Sequence, residues 1–169
     1  MQRTLDDEER YVAWAVVGNP EADDPGAGVV VTNRGLWLPG RDARLGWHEI
    51  HKVIWDGQRL AIVAAREVAD LGYHVMVDEP QVEYLLPEPD RVPEQVRTRV
   101  DRSIASTTVH ELSGGGQVRI VARRVSGVNG LRWTVRYSDG PDADRDEVAA
   151  ATAALVAEAM ASIEGVIRW

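Results

Sequence analysis

Apolar residues fall along this chain mostly in short alternating or clustered runs of about four to eight, the signature of strands, and only twice at helical spacing. Residues 11–17 are apolar and bounded by Gly18, Asn19 and Pro20, which predicts a buried strand. Residues 29–32 and 36–38 flank Asn33, Arg34 and Gly35, a tight three-residue hairpin loop in which Gly35 supplies a positive φ. Residues 47–55 read as a longer extended piece, Asp56-Gly57 as a hairpin turn, 59–63 as the return strand and 72–77 as a weaker strand. Two more strands, 106–112 and 117–123, are joined by Ser113 and the glycines 114–116, and 131–137 follows a turn ending in Asn129-Gly130.

The two helical patterns differ in strength. Residues 78–93 are rich in Pro and Glu and read as an extended connection. Pro93 and Glu94 then suit a helix first turn, with Val96, Val100 and Ile104 on one face. At 144–164, Asp144 and Glu147 form a capping box ahead of a stripe through Val148, Thr152, Leu155, Ala159 and Ile163. Residues 1–10 are polar and read as a frayed end or a short helix. The expectation is a single α+β domain over 1–169. It would hold about seven or more antiparallel strands, a short helix inside a 78–104 insertion, and a C-terminal helix at 144–164.

At 28–63 the chain resembles the bacterial pleckstrin-homology-like domains. The resemblance rests on Val31-Thr32-Asn33-Arg34-Gly35-Leu36-Trp37-Leu38, then Trp47-His48-Glu49-Ile50, then Val53-Ile54-Trp55-Asp56-Gly57. It implies a strongly bent antiparallel sheet or barrel capped by the terminal helix. It brings no catalytic residues. The arginine bias, with Lys52 the sole lysine, and the many Ala, Val and Gly suit a GC-rich, actinobacterial type of genome. A phosphoinositide binder of this family carries a lysine-rich first hairpin, whereas the 21–28 loop here is acidic.

Charge narrows the partners. The net charge is −8, which repels nucleic acid and anionic membranes at long range. Within this acidic chain, residues 91–136 hold 9 basic and 3 acidic groups. The absence of cysteine excludes disulfides, thiolate metal sites and a cysteine nucleophile. No apolar run approaches the roughly 20 residues that span a bilayer, and no basic-then-apolar leader opens the chain, so the expectation is a soluble cytoplasmic protein.

Familiar catalytic and metal patterns do not form in the sequence. His48 and His51 flank Glu49, but a zincin needs His-Glu-x-x-His on a helix; these read as polar residues of a strand. His74 and His110 have no nearby sequence partners. Asp142, Asp144 and Asp146 begin like a calcium loop, but Glu147 and Ala153 stand where Gly and Glu are required. The glycines 114–116 lack the Lys-Ser/Thr of a phosphate loop, and no Gly-x-Ser-x-Gly elbow occurs. Trp14, Trp37, Trp47, Trp55 and Trp133 read as core or barrel wall, and Trp169 as exposed. No catalytic residue, metal ligand or cofactor is assigned.

The candidate site is a basic hairpin. Placing Asn129 and Gly130 at the two centres of a turn sets Val128 opposite Leu131, Val125 opposite Thr134, Arg124 opposite Val135, Arg123 opposite Arg136 and Ala122 opposite Tyr137. Val118, Ile120 and Ala122 then share an apolar face with Trp133, Val135 and Tyr137, Arg124 being the exception. Arg119, Arg123, Arg132 and Arg136 share the other face. Arginines directly opposed repel one another, so something must neutralise Arg123 and Arg136. The neutralising charge is either internal, from carboxylates of the 21–28 loop or the 139–147 segment, or it is an acidic partner segment or small anion. The function expected is a non-enzymatic binding or adaptor module for protein. The alternatives are a sensor of anions or phospholipid headgroups using the basic hairpin, and an enzyme of another type.

Overall fold

The computed structural model describes residues 5–18, 26–138 and 146–167. The fold is α+β. Among the described residues it has eleven strands, one 3-10 turn and two α-helices. The chain divides into two compact units. The first comprises Met1–Arg66, Asp78–Ile104 and Arg124–Gly130; the second comprises Glu67–Val77, Ala105–Arg123 and Leu131–Trp169.

In the first unit, β1 (Tyr11–Val16), β2 (Gly28–Thr32), β3 (Gly35–Trp37) and β4 (Leu45–Gly46) form an antiparallel sheet in chain order, with β1 at one edge. Alternation sends Ala13, Ala15, Val29, Val31, Leu36 and Leu45 into the core. Trp14, Val30 and Trp37 stand in register across β1, β2 and β3 on the other face. The hairpin glycine has a different role from the expected one. The loop is Asn33-Arg34, and the Thr32 hydroxyl accepts from both the Arg34 and Gly35 N–H at 3.1 Å. Gly35 is not among the positive-φ glycines. A Cβ there would collide with the Leu45 carbonyl, so close strand approach requires the glycine.

The expected extended piece at 47–55 begins with a 3-10 turn, Trp47–Glu49, in which the Glu49 carboxylate accepts the Gly46 N–H at 2.7 Å. Strand β5 follows as Ile50–Trp55 and pairs antiparallel with β6 (Arg59–Asp70), a strand much longer than the expected return. The Asp56-Gly57 signal is correct. Gly57 has φ +97°, and Asp56 accepts the Gln58 and Arg59 N–H groups at 2.8 and 2.6 Å. The connection expected at 78–93 contains a strand, β8 (Val82–Leu85), paired antiparallel with β6.

Helix α1 (Val92–Ser103) carries proline in its first turn and buries Val92, Val96 and Val100 in the first unit's core. Ile104, expected on the helix, begins a strand instead. The polar N-terminal segment is anchored rather than frayed over its described part. The Glu9 side chain is 0% exposed and accepts from the Thr32 hydroxyl (2.7 Å), Trp37 Nε1 (3.0 Å) and Arg44 (2.7 Å).

In the second unit the hydrogen-bonded path runs from the end of β6 through β7 (His74–Asp78), β11 (Leu131–Ser138), β10 (Gln117–Arg124) and β9 (Ile104–Glu111). The sheet is mixed rather than purely antiparallel, because β7 and β11 are parallel, with Thr134 beside His74 and Val135 beside Val75. Gly115 and Gly116, both at positive φ, close the β9–β10 turn. Helix α2 (Asp146–Ile167) buries Val148, Thr152 and Val156. Val156 is the most deeply buried apolar residue of its stripe, Leu155 and Ala159 pack half-buried against the same core, and Thr152 lies 2.8 Å from the Tyr137 hydroxyl. Tyr73, Val75, Val118, Ile120, Val135 and Val156 make this unit's core. Asp142, Asp144 and Trp169 lie outside the described residues. No described helix is long and apolar enough to cross a membrane.

Candidate functional site

Strands β10 and β11 carry the four arginines singled out from sequence. Val118, Ile120 and Val135 are buried, with Trp133 and Tyr137 packed against them, so the apolar face lies where alternation puts it. Arg119 is exposed, Arg132 and Arg136 are half-buried, and Arg123 is only 4% exposed. Burial and the neighbouring Arg136 both act against the Arg123 guanidinium, lowering its pKa to about 10.

The turn differs from the two-residue one expected. Strand β10 ends at Arg124 and β11 begins at Leu131, so residues 125–130 form the loop. The Val128 N–H donates to the Val125 carbonyl at 3.1 Å, with Gly127 and Gly130 at positive φ. The Thr134 hydroxyl donates to the Val121 carbonyl at 3.2 Å, so Thr134 does not face Val125 as a two-residue turn demands. The physical reason is tethering within the first unit: Ser126 Oγ donates to the Asn33 carbonyl at 3.3 Å, and Gly127 packs toward the Arg34 guanidinium. Arg124, the exception on the apolar face, is exposed. It donates to the Arg102 and Ile104 carbonyls at 3.0 and 3.1 Å, capping the end of α1.

Arg132 lies 3.7 Å from Glu67 Oε2. The other Glu67 oxygen faces His74 Nδ1, and the ligand atoms of Glu67, Asp70 and His74 all lie within 4.8 Å of one another. Sequence reasoning missed this group because it treated His74 as isolated. The signal was present in Gly72, which at φ +85° turns the chain between Asp70 and His74. The other sequence histidines stay apart. His48 sits in the 3-10 turn, and His51, at a register shift in β5, pairs with Asp78 at 2.7 Å.

The first unit also holds a cavity of about 170 Å³ lined by Leu38, Leu45, Ile62, Val82 and Tyr84, with the Arg41–Glu79 ion pair (2.8 Å) at its side. The acidic segments expected to neutralise the arginines, 21–28 and 139–147, lie largely outside the described residues. Comparison with protein-family models, with curated proteins and with solved structures finds no match.

Proposed function

We propose that this chain is a non-enzymatic binding module that takes an acidic protein segment through Arg123 and Arg136. The observation carrying this reading is the burial of Arg123 within the repulsive field of Arg136. A carboxylate placed between the two forks would offset both causes that depress Arg123, and low local polarity would strengthen the charge-assisted bonds. Arg119 would add an exposed rim charge, and Arg132 faces Glu67. The pleckstrin-homology-like reading of the fold belongs to the same proposal. It is supported by the quoted residues at 28–63 and by a C-terminal helix packed on strands of the second unit.

The test is the double change Arg123→Ala and Arg136→Ala, with Arg136→Ala alone as the milder variant. Binding of a labelled Asp/Glu-rich peptide is followed by anisotropy beside a thermal melt. The proposal expects peptide binding to be lost while the melting temperature of Arg136→Ala is unchanged or higher. A lower melting temperature with peptide binding intact would make the pair part of an internal ion-pair network. Salt-sensitive flotation with phosphatidylserine or phosphoinositide vesicles, against the repulsion expected of a −8 chain, would replace the peptide by a lipid headgroup.

A further inference from the structure

We infer that Glu67, Asp70 and His74 of the second unit form a binding site for a divalent transition-metal cation, with Zn²⁺ the best match. The chain builds the site from one hairpin. β6 brings Glu67 and Asp70, Leu71 and Gly72 turn the chain, and β7 opens with His74. Two backbone features fix the turn: the Leu71 N–H donates to the Tyr73 carbonyl at 3.0 Å, and the Gly72 N–H donates to Asp70 Oδ1 at 3.2 Å. The arms are held from below, since Tyr73 and Val75 are buried on either side of His74 in sequence. His74 is also flanked by strand on both sides, through β6 and through its register with Thr134 of β11. The imidazole therefore springs from backbone fixed by two neighbouring strands, the preorganisation a metal site needs.

The donor set selects the ion. One imidazole nitrogen and two carboxylate oxygens, within 4.8 Å of one another, suit a borderline cation that accepts nitrogen and oxygen together. Ca²⁺ and Mg²⁺ prefer all-oxygen shells with more ligands. Glu67 and His74 side chains are 39% and 23% exposed, which leaves room for water at the remaining positions. Electrostatics agree. The group holds two carboxylates, and the Arg132 guanidinium lies 3.7 Å from a single oxygen of Glu67, so a dication would add the positive charge that two carboxylates favour.

The inference is independent of the arginine reading, and its test uses the metal alone. Chelator-treated protein is titrated with ZnCl₂ by calorimetry, with millimolar MgCl₂ present, and its melt is recorded with and without Zn²⁺. Expected are one ion per chain and a raised melting temperature. Both should weaken by at least about ten-fold in affinity in His74→Ala and in the near-isosteric Glu67→Gln and Asp70→Asn, checked as folded by circular dichroism. His51→Ala and His110→Ala should bind as the parent does. Absence of binding in the parent, binding that survives His74→Ala in full, or displacement of Zn²⁺ by Mg²⁺ would each overturn the assignment.

Discussion

Glu9 offers the sharpest test of how the first unit is held together. Its side chain is fully buried, with Oε1 accepting from Thr32 and Trp37, and Oε2 from Arg44 and the Asp6 N–H. Glu9→Ala removes all four acceptor positions. Thr32 can turn to the Gly35 carbonyl, 3.1 Å away, and Arg44 keeps Asp6 at 2.9 Å. The losses that remain are the indole bond of Trp37, one charge-assisted bond of Arg44 and the 3.3 Å bond from the Asp6 N–H, which water can replace because Asp6 is exposed. At about 1–3 kcal/mol for a buried donor and about 1.5–3 for a charged bond, the expected cost is about 2.5–6 kcal/mol. For a chain of this size that corresponds to a melting temperature lower by roughly 5–24 °C.

Glu9→Gln keeps the volume and one acceptor, but turns an amide N–H₂ toward donors, for an expected cost of about 1.5–3 kcal/mol. The pH dependence gives a second readout. Burial pushes the Glu9 carboxyl up, but the bonds from Thr32, Trp37 and Asp6 and the charge of Arg44 outweigh it, holding the group below the ordinary carboxylate range. Its stabilisation is therefore complete above the ordinary carboxylate pKa and is lost as pH falls through the lower native value. Thermal melts of parent and Glu9→Gln, recorded from neutral pH downward, should converge in acid. A Gln variant melting within about 1 °C of the parent at neutral pH, or the same gap at every pH, would refute this account.

Two further substitutions test the packing. Val156→Asp should unfold the second unit, costing at least about 3 kcal/mol by burying a carboxylate at a position 2% exposed, whereas Leu155→Asp should cost clearly less because Leu155 is half-buried; a urea titration in which the two variants match would contradict the assigned stripe. Gly35→Ala should lose about 1–3 kcal/mol as its methyl presses on the Leu45 carbonyl and opens the β3–β4 pair; a parental urea midpoint would show that the strands can separate without cost.

Local signals carried well from sequence to structure wherever one element decided them. Asp56-Gly57 turned as its residue types require, Pro93 opened a helix, and Val118, Ile120 and Ala122 are buried. Non-local partners were hidden. Gly35 is a glycine because of Leu45, and the parallel pairing of β7 with β11 joins segments far apart in the chain. The register of the arginine hairpin was misplaced for the same reason. Asn129-Gly130 is a strong two-residue turn signal, yet the loop is widened by contacts from Ser126 and Gly127 to residues near position 33. The charge of Arg136 still bears on Arg123 in the shifted hairpin, while the opposition of Arg132 to Glu67 was not readable from spacing.

Strand β1 carries a colloidal consequence. As the outer strand of its sheet it offers pairing groups to any passing chain, and Trp14, 53% exposed, with Tyr11 and Val16 makes that border sticky. The Arg91 side chain donates to the Val12 carbonyl at 3.4 Å and blunts one position of it. Repulsion between copies of net charge −8 adds to that protection. Salt shortens the reach of that repulsion, from about 10 Å at 0.1 M to about 3 Å at 1 M, so the border is exposed to self-pairing as ionic strength rises. Concentrated salt should therefore raise light scattering from the parent but much less from Trp14→Lys; equal scattering from both would place the sticky surface elsewhere.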